Sequence, residues 1–386
     1  MSSVVRQLHR VFSASQPAAA AAAAAATATA TARTTLTSTK VRKLLDSLER
    51  SLKPPSGQFR RQSRVLEAVH KLSSAGHTSL VDEILRDQKQ RIGPESELFA
   101  AYLIELYGAA GMFDLARELF DEMPNLNCPP TIRSLNSLLQ ACVKSERFNE
   151  VERLVRDLPV TLSLEPDLVT YNILVGSYCR AGSIDCALLV IDEISEKGLQ
   201  PEAITFTPLL VFFYRSGRFK EGDHIWDLME SKNITLNATT YHIKLHAMVS
   251  HDKLADAVEL FADMEKKSVI PDVYCYNALI IGFCRKEDSE EAKNWYQKLV
   301  KSSCSPDFVT MSMLIPFFRK KNDLDMVYVL CTDLMCMSFR ISPHLVQRVV
   351  DDLVQHSKLE LAEELVKLSS SDSNLRYNLK IPSVSR

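Results

Sequence analysis

Residues 165–202 read EPDLVTYNILVGSYCRAGSIDCALLVIDEISEKGLQPE, and the pattern in this stretch sets the architecture of the whole chain. Apolar residues recur at helical spacing over 174–179 and again over 184–194. Gly182 lies between the two stretches, as glycine does where a helix ends. Pro201 follows the second stretch and prevents a helix from continuing. The segment therefore predicts two consecutive helices joined by a short turn.

The same pattern repeats along the chain. Spacings of 36 and then 35 residues separate the aromatic or apolar markers Leu135, Tyr171, Phe206, Tyr241, Tyr276 and Met311. A small residue follows sixteen positions after four of these markers, at Ala187, Gly222, Ala257 and Ala292. A glycine recurs at another phase, at Gly76, Gly111, Gly182 and Gly217. One period held by independent markers indicates a repeat architecture.

A single helix pair cannot bury its apolar face, so such repeats are stable only when neighbours stack. The sequence therefore predicts an all-α protein, a right-handed α-solenoid of about nine 35-residue helix-turn-helix repeats over 62–377. A small residue at the Ala187 position would let the two helices of a repeat approach closely. The predicted repeats are 62–96, 97–131, 132–167, 168–202, 203–237, 238–272, 273–307, 308–342 and 343–377.

Length and composition exclude several other classes. The chain has 386 residues, of which 46% are hydrophobic and nine are cysteine. It is too apolar for a disordered chain and too poor in cysteine for a disulfide scaffold. No stretch of ~18 strongly apolar residues is present, as a membrane span would need. With 46 Lys and Arg against 48 Asp and Glu, binding of nucleic acid through bulk positive charge is not expected.

The N-terminus differs from the rest of the chain. No acidic residue precedes Asp46, whereas Arg6, Arg10 and an alanine run over 18–26 lie within this part. An acid-free, Arg-bearing, hydroxyl-rich start is typical of an organelle transit peptide. We therefore expect residues 1–40 to be a disordered mitochondrial transit peptide. A chloroplast peptide and a merely disordered leader are the alternatives.

Two short segments flank the repeats. Residues 41–61 are expected to be an amphipathic, basic linker, which is either a docking helix or the end of the targeting segment. Residues 378–386 are expected to form a C-terminal tail. Loss of Arg6 and Arg10 alone would already leave 44 basic against 48 acidic residues, so the mature protein would be acidic.

A family resemblance is carried by residues 165–202 and by residues 270–299, which read IPDVYCYNALIIGFCRKEDSEEAKNWYQKL. Both segments resemble pentatricopeptide repeats. Tetratricopeptide repeats have ~34 residues and a Trp in the first helix, whereas Trp226 and Trp295 lie in second helices. The resemblance spans about 62–377. It implies the pure P type, because nothing after the repeats resembles a deaminase, a nuclease or another appended domain.

Four other stretches are similar to a small group of short pentatricopeptide proteins of plant mitochondria. They are LVDEILRDQK (80–89), ELFAAYLIELYGAAGMFDLARELFDEMP (97–124), TIRSLNSLLQAC (131–142) and LVQHSKLELAEELVK (353–367). Members of that group are components of the small subunit of the mitochondrial ribosome. The resemblance therefore implies RNA and mitochondrial ribosomal proteins as partners.

In repeat proteins of this type, one base is read per repeat by two or three side chains. The family places them at the residue after the aromatic marker and at the last residue of the repeat; we call these the code positions. The pairs implied here are Asn136 with Asp167, Asn172 with Glu202, Thr207 with Asn237, His242 with Asp272, Asn277 with Asp307, and Ser312 with Ser342. Asn with Asp is the family's uracil-favouring pair, and Thr with Asn its adenine-favouring pair.

Three pairs depart from the family pattern. Glu202 is too long, His242 is unusual, and Ser342 lacks a carboxylate. A structural explanation also stands beside the functional one, because Asn and Asp cap helices and close turns. Pairs that fit the family pattern alternate with pairs that do not, which predicts weak readout of the RNA sequence. Weak readout suits a protein held in a larger ribonucleoprotein.

No pattern typical of a catalytic or metal centre is present. The cysteines include no CxxC pair, so a zinc site is not expected. Cys179 and Cys284 share one repeat phase and are interpreted as buried thiols. His242 and His246 lie one turn apart, but no third ligand accompanies them. One basic cluster is either a phosphate contact or a solvated helix start, and it consists of Arg60, Arg61 and Arg64.

Three functions follow from these observations. The first is a non-catalytic protein without cofactor or metal, acting as a structural or assembly component of the mitochondrial small ribosomal subunit. The second is a free, sequence-specific factor that stabilises or processes an organelle transcript. The third, from another class, is a protein-binding α-solenoid that takes peptides. An enzyme acting on a small molecule is not expected.

Overall fold

A computed structural model describes residues 41–46, 48, 62–336, 343–371 and 379–382. Within these ranges every regular element is helical. Eighteen α-helices form nine consecutive hairpins in the described part of the chain, with a 3₁₀ turn at Met123–Leu126. None of the described helices is both long and apolar enough to cross a membrane. The predicted all-α class and the predicted helical repeats are confirmed.

The chain divides into two compact units, Met1–Thr235 and Leu236–Arg386. The first unit contains α1 (Gln62–Ser74), α2 (Thr78–Lys89), α3 (Glu97–Ala109), α4 (Phe113–Glu122), α5 (Ile132–Lys144), α6 (Phe148–Leu162), α7 (Leu168–Ala181), α8 (Ile184–Glu196), α9 (Ala203–Arg215) and α10 (Phe219–Ser231). The second contains α11 (Ala238–Ser250), α12 (Leu254–Lys266), α13 (Val273–Arg285), α14 (Ser289–Lys301), α15 (Phe308–Lys320), α16 (Leu324–Cys336), α17 (Pro343–Gln355) and α18 (Leu359–Ser371). Each odd-numbered helix is the first helix of a hairpin and begins at the first residue of a predicted repeat.

The turn between the two helices of each hairpin contains a residue with positive φ. Four hairpins use the glycines that recur in the sequence, Gly76, Gly111, Gly182 and Gly217, with φ between 73° and 86°. The other five place a non-glycine residue at the same phase with φ between 59° and 64°, namely Glu146, Asp252, Glu287, Asn322 and Ser357. A left-handed residue after a helix satisfies its last carbonyls and reverses the chain, so this phase marks every hairpin turn.

The small-residue phase lies between the two helices of a hairpin, as predicted. Ala187, Ala257 and Ala292 are fully buried. At Gly222 of α10, an added Cβ would lie 2.4 Å from the ring of Tyr214 in α9. The Tyr214 hydroxyl donates a 2.9 Å hydrogen bond to Asp223. The fifth hairpin therefore closes around a tyrosine that leaves room only for glycine.

First helices also stack on first helices within each unit. In the first unit α3 packs on α5, α5 on α7 and α7 on α9, and in the second α11 packs on α13 and α13 on α15. Helices α3 and α5 approach so closely that a Cβ on Gly108 would lie 2.5 Å from both Cα and Cβ of Ala141. This stacking makes each unit an α-solenoid segment and sets the code positions of neighbouring hairpins side by side.

Parts of the flanking predictions fall outside the described residues. Residues 1–40, the predicted transit peptide, are not described. Of the predicted linker, residues 41–46 and 48 are described; they are helical, and Val41 and Leu48 are buried. The predicted boundaries of the leader, linker and tail stay predictions.

Candidate nucleic-acid interface

The last residue of several predicted repeats caps the first helix of the next hairpin. Its side-chain oxygen accepts the backbone N–H of the residue three positions later, at 2.8–3.0 Å. The residues that do so are Asp167 for α7, Asn237 for α11, Asp272 for α13 and Asp307 for α15. Such a cap stabilises a helix by ~1 kcal/mol. The structural role that the sequence left open is therefore observed at these four positions.

Asn136 and Asp167 form a direct pair. The side-chain amide of Asn136 in α5 donates to the Asp167 carboxylate at 3.0 Å. The hydroxyl of Thr170, on the first turn of α7, donates to the Asn136 carbonyl oxygen at 2.7 Å. Both ends of the Asn136 amide are thus bonded to the N-terminus of the next first helix.

Asn277 and Asp307 repeat this arrangement in the second unit. The Asn277 amide donates to Asp307 at 3.1 Å, and the Thr310 hydroxyl donates to the Asn277 carbonyl oxygen at 2.7 Å. Asn277 is only 3% exposed. We call each of these two arrangements a closed pair, because the amide that would meet a base is already bonded within the protein.

Asn172 and Glu202 form an open pair instead. The Asn172 carbonyl oxygen is buried and has no hydrogen-bond partner. Glu202 is exposed, and its backbone N–H donates to the Thr205 hydroxyl at 3.1 Å. Since Glu is one methylene longer than Asp, its carboxylate does not take the position that closes the other two pairs. The Asn172 carbonyl oxygen is therefore left without a hydrogen-bond partner inside the protein.

The two predicted hydroxyl positions are turned toward their own helices. The Thr207 hydroxyl donates to the Ala203 carbonyl at 3.0 Å, and the Ser312 hydroxyl donates to the Val309 carbonyl at 3.0 Å. Such bonds within a helix compete with any contact to a ligand. Thr207 belongs to the first unit, and its predicted partner Asn237 caps α11 in the second.

His242 lies in an aromatic cluster rather than in an amide–carboxylate pair. Its ring centroid is 5.5 Å from that of Tyr274 and 5.9 Å from that of His246. Burial lowers the pKa of the His242 imidazole, although the Asp272 carboxylate opposes this shift. The imidazole is therefore mainly neutral at pH 7. Tyr274 is 54% exposed beside it and offers a ring face for stacking.

Sequence reasoning missed a row of cations on the first helices. An exposed Lys or Arg lies in the last turn of α5, α7 and α9 in the first unit and of α13 and α15 in the second. These residues are Lys144, Arg180, Arg215, Arg285 and Lys320. Each lies eight residues after a code position, so it is about 12 Å further along its helix. These cations recur at the repeat period of 35 or 36 residues, so a search at that spacing would have identified them.

A second missed feature is an exposed apolar side chain on the first turn of several first helices. Side chains at this position are 46–61% exposed in five hairpins. They are Leu98, Val169, Ile204, Tyr274 and Val309. An apolar contact of this kind meets the flat face of an unpaired base without selecting its identity. In four of these hairpins a polar code residue lies three positions later, on the same side of the helix as the apolar side chain.

Three family models match the hairpins described above. A model described as "PPR repeat family" matches residues 244–285 and 271–320. Two models described as "PPR repeat" match residues 162–195, 102–128 and 133–159. The matched segments begin and end within the described hairpins, and they share the period that places the code positions. These segments of the chain are pentatricopeptide repeats.

Two curated pentatricopeptide relatives come from Arabidopsis thaliana. The small ribosomal subunit protein mS79 is 44% identical over 141 residues, which is 36% of this chain and 36% of that protein. The small ribosomal subunit protein mS78 is 42% identical over 144 residues, which is 37% of this chain and 36% of that protein. The matched segment thus spans about a third of the length of these relatives. A crystal structure of the maize pentatricopeptide repeat protein PPR10 is 22% identical, with a TM-score of 0.48, and the match covers 86% of this chain and 48% of that one.

Two further candidates from the sequence are the cysteine thiols and a metal site. Burial raises the pKa of the Cys179 and Cys284 thiols to about 12, so both are protonated and unreactive at neutral pH. Cys179 is buried, as predicted, and Cys284 is half-buried. Among the described residues, no three His, Cys, Asp or Glu side chains are grouped so as to hold a metal ion.

Four predicted contacts lie outside what the structure describes. They are Arg60, Arg61, the side chain of Arg64, and Ser342. The base-reading and phosphate-binding roles of all the predicted residues stay predictions.

Proposed function

We propose that this pentatricopeptide repeat protein is a non-catalytic, RNA-binding component of the mitochondrial small ribosomal subunit. Two relatives that are more than 40% identical over the matched segment carry the name of small ribosomal subunit proteins. The match covers a third of their length, so the assignment to this chain is our inference. RNA and ribosomal proteins are its proposed partners, and the mitochondrial matrix its proposed location.

The observation that carries RNA binding is the composition of the first helices. The same helices present a polar side chain at the code position and an exposed cation eight residues later. On α7 these are Asn172, whose carbonyl oxygen is unpaired, and Arg180. An amide meets the edge of a base, and a guanidinium attracts a phosphate. This combination supports contact with a single RNA strand along the first helices of each unit.

The closed pairs favour a ribosomal component over a free, sequence-specific factor. Asn136 and Asn277 would have to break two internal hydrogen bonds each before reading a base. The net charge of −2 also supplies little of the phosphate attraction that dominates RNA affinity. A protein with weak affinity of its own is useful where neighbouring proteins share the RNA contacts.

Sucrose-gradient sedimentation of mitochondrial lysate tests the proposal. The tagged full-length chain should migrate with the small subunit and remain there after a high-salt wash. Migration at the top of the gradient, with one transcript recovered by crosslinking, would support the free factor instead. If crosslinking recovers protein but no RNA, the peptide-binding scaffold is the better interpretation.

A further inference from the structure

The last hairpin has a code position of its own. Gln347 in α17 lies 35 residues after Ser312, and it follows the buried Val346, which holds the marker position of this repeat. By the phase that places the other code residues, Gln347 is the side chain that would meet RNA on this hairpin.

This code position is already occupied by the chain itself. The Gln347 amide nitrogen donates to the backbone carbonyl of Lys380 at 2.7 Å. The backbone N–H of Lys380 donates back to the Gln347 carbonyl oxygen at 2.9 Å. The other N–H of the Gln347 amide donates to Asp351 at 2.8 Å, which fixes the orientation of the amide. Both its donors and its acceptor are therefore engaged.

The segment 379–382 is held by burial as well as by these bonds. Leu379 is 8% exposed, whereas Ile381, two residues later, is 39% exposed. The Leu379 side chain, directly before the hydrogen-bonded Lys380, is thus buried, whereas the Ile381 side chain directly after it is exposed. The two hydrogen bonds and the buried leucine stabilise the docked segment, whereas the entropy lost in ordering four residues opposes docking. A ligand can therefore displace this contact.

The paired donor and acceptor of the Lys380 backbone match those of a base edge. An adenine edge offers one N–H donor beside one ring nitrogen acceptor, and a side-chain amide binds that pair in the bidentate way seen here. We propose that residues 379–382 are an internal competitor of RNA, which occupies the code position of the last hairpin and leaves when RNA enters. This inference rests on the proposed RNA-binding function.

The test separates docking of the segment from binding of RNA. Docking is read from hydrogen exchange of the Lys380 amide in the full-length chain. Binding is read by fluorescence anisotropy with labelled poly(A) and poly(U) strands. Leu379→Asp should undock the segment, and Ile381→Asp adds the same charge at an exposed site as the matched control. Circular dichroism checks that helix content is unchanged in both variants.

We expect the Lys380 amide to be protected in the parent chain and in Ile381→Asp, and to exchange freely in Leu379→Asp. Saturating poly(A) should release it in the parent chain, and Leu379→Asp should bind poly(A) about threefold to tenfold more tightly. If Leu379→Asp loses protection but binds RNA as the parent does, the competitor role is wrong while RNA binding stands. If no chain binds either strand, the proposed function fails and the competitor role fails with it. An unprotected Lys380 amide in the parent chain would overturn the docking itself.

Discussion

The side-chain amide of Asn277 donates to the carboxylate of Asp307, thirty residues later, at 3.1 Å. Asp307 simultaneously accepts the backbone N–H of Thr310 at 2.8 Å and so caps α15. One carboxylate therefore fixes the start of a helix and ties it to the preceding first helix. The residue pair that implies base reading also holds neighbouring hairpins together.

Removing this carboxylate should cost more than removing a cap alone. For Asp307→Ala we expect the free energy of unfolding to fall by ~2 to 3 kcal/mol, because a cap is removed and the buried Asn277 amide loses a partner. Asp272→Ala removes only a cap, since its partner at the code position is His242, and should cost ~1 kcal/mol. Urea unfolding followed by circular dichroism measures both. Equal losses would show that the Asn277–Asp307 bond contributes nothing.

A one-methylene change should close the open pair. Glu202→Asp brings a carboxylate into position to accept from the Asn172 amide, and should stabilise the protein by ~0.5 to 1.5 kcal/mol. Asp167→Glu makes the opposite change in a closed pair and should be destabilising. Thermal unfolding of both variants gives the comparison. The same sign for the two exchanges would contradict the geometric explanation.

The close approach of α3 and α5 should tolerate no methyl group. Gly108→Ala places a Cβ 2.5 Å from Ala141 and should destabilise the protein by ~1 to 3 kcal/mol. Gly176→Ala in α7 is the matched control, because its Cβ would meet only Pro208, at 3.8 Å. There we expect no loss, or a gain of ~0.5 to 1 kcal/mol from helix propensity. Chemical denaturation midpoints report the difference.

Exchanges to and from glycine at the left-handed turn position should change stability in opposite directions. Glu146 adopts φ of 59° where Gly111 has 73° one repeat earlier. Glu146→Gly relieves a strained backbone, although the flexibility of the unfolded chain offsets part of the gain, so we expect ~0.5 kcal/mol of stabilisation. Gly111→Ala has open space around its Cβ but the same φ, and should cost ~1 kcal/mol. Thermal denaturation measures both changes, and a stabilising Gly111→Ala exchange would contradict this explanation of the turn.

The cation row should govern the salt dependence of RNA binding. Reversing the charges of Lys144 and Arg180 together is expected to weaken binding of a poly(U) strand. In a salt titration, the slope of log affinity against log salt should fall by ~0.7 for each phosphate that the protein no longer neutralises. Reversing the charges of Lys197 and Lys232 together is the matched control, since both are exposed directly after second helices. An equal effect of the control would mean that only net charge matters.

The fold was predictable because its markers recur at a fixed period. Gly182 and Pro201 each have a local physical role, and repetition strengthens that weak signal until the starts of the first helices are correct to the residue. The glycine phase alone did not identify the turns at Glu146 and Glu287, because these residues adopt left-handed backbone without being glycine. Their position in the 35-residue repeat would have indicated a turn at both residues.

The state of the candidate site was less predictable. Whether Asn136 and Asn172 are closed or open depends on one methylene in the last residue of the same repeat and on the direction of a threonine hydroxyl in the next repeat. The sequence shows the longer side chain of Glu202, but it does not show the direction of a hydroxyl. The contact of Lys380 with Gln347 involves backbone atoms, so no sequence pattern signals it.

Contact between the first helices and ribosomal RNA can be measured by ultraviolet crosslinking of isolated mitochondrial small subunits, followed by mass spectrometry of the peptide–RNA adducts. We expect small-subunit ribosomal RNA attached to peptides from the first helices, above all α7 with Asn172 and α13 with Tyr274. Adducts confined to second helices, or small subunits that lack this chain, would contradict the proposed function.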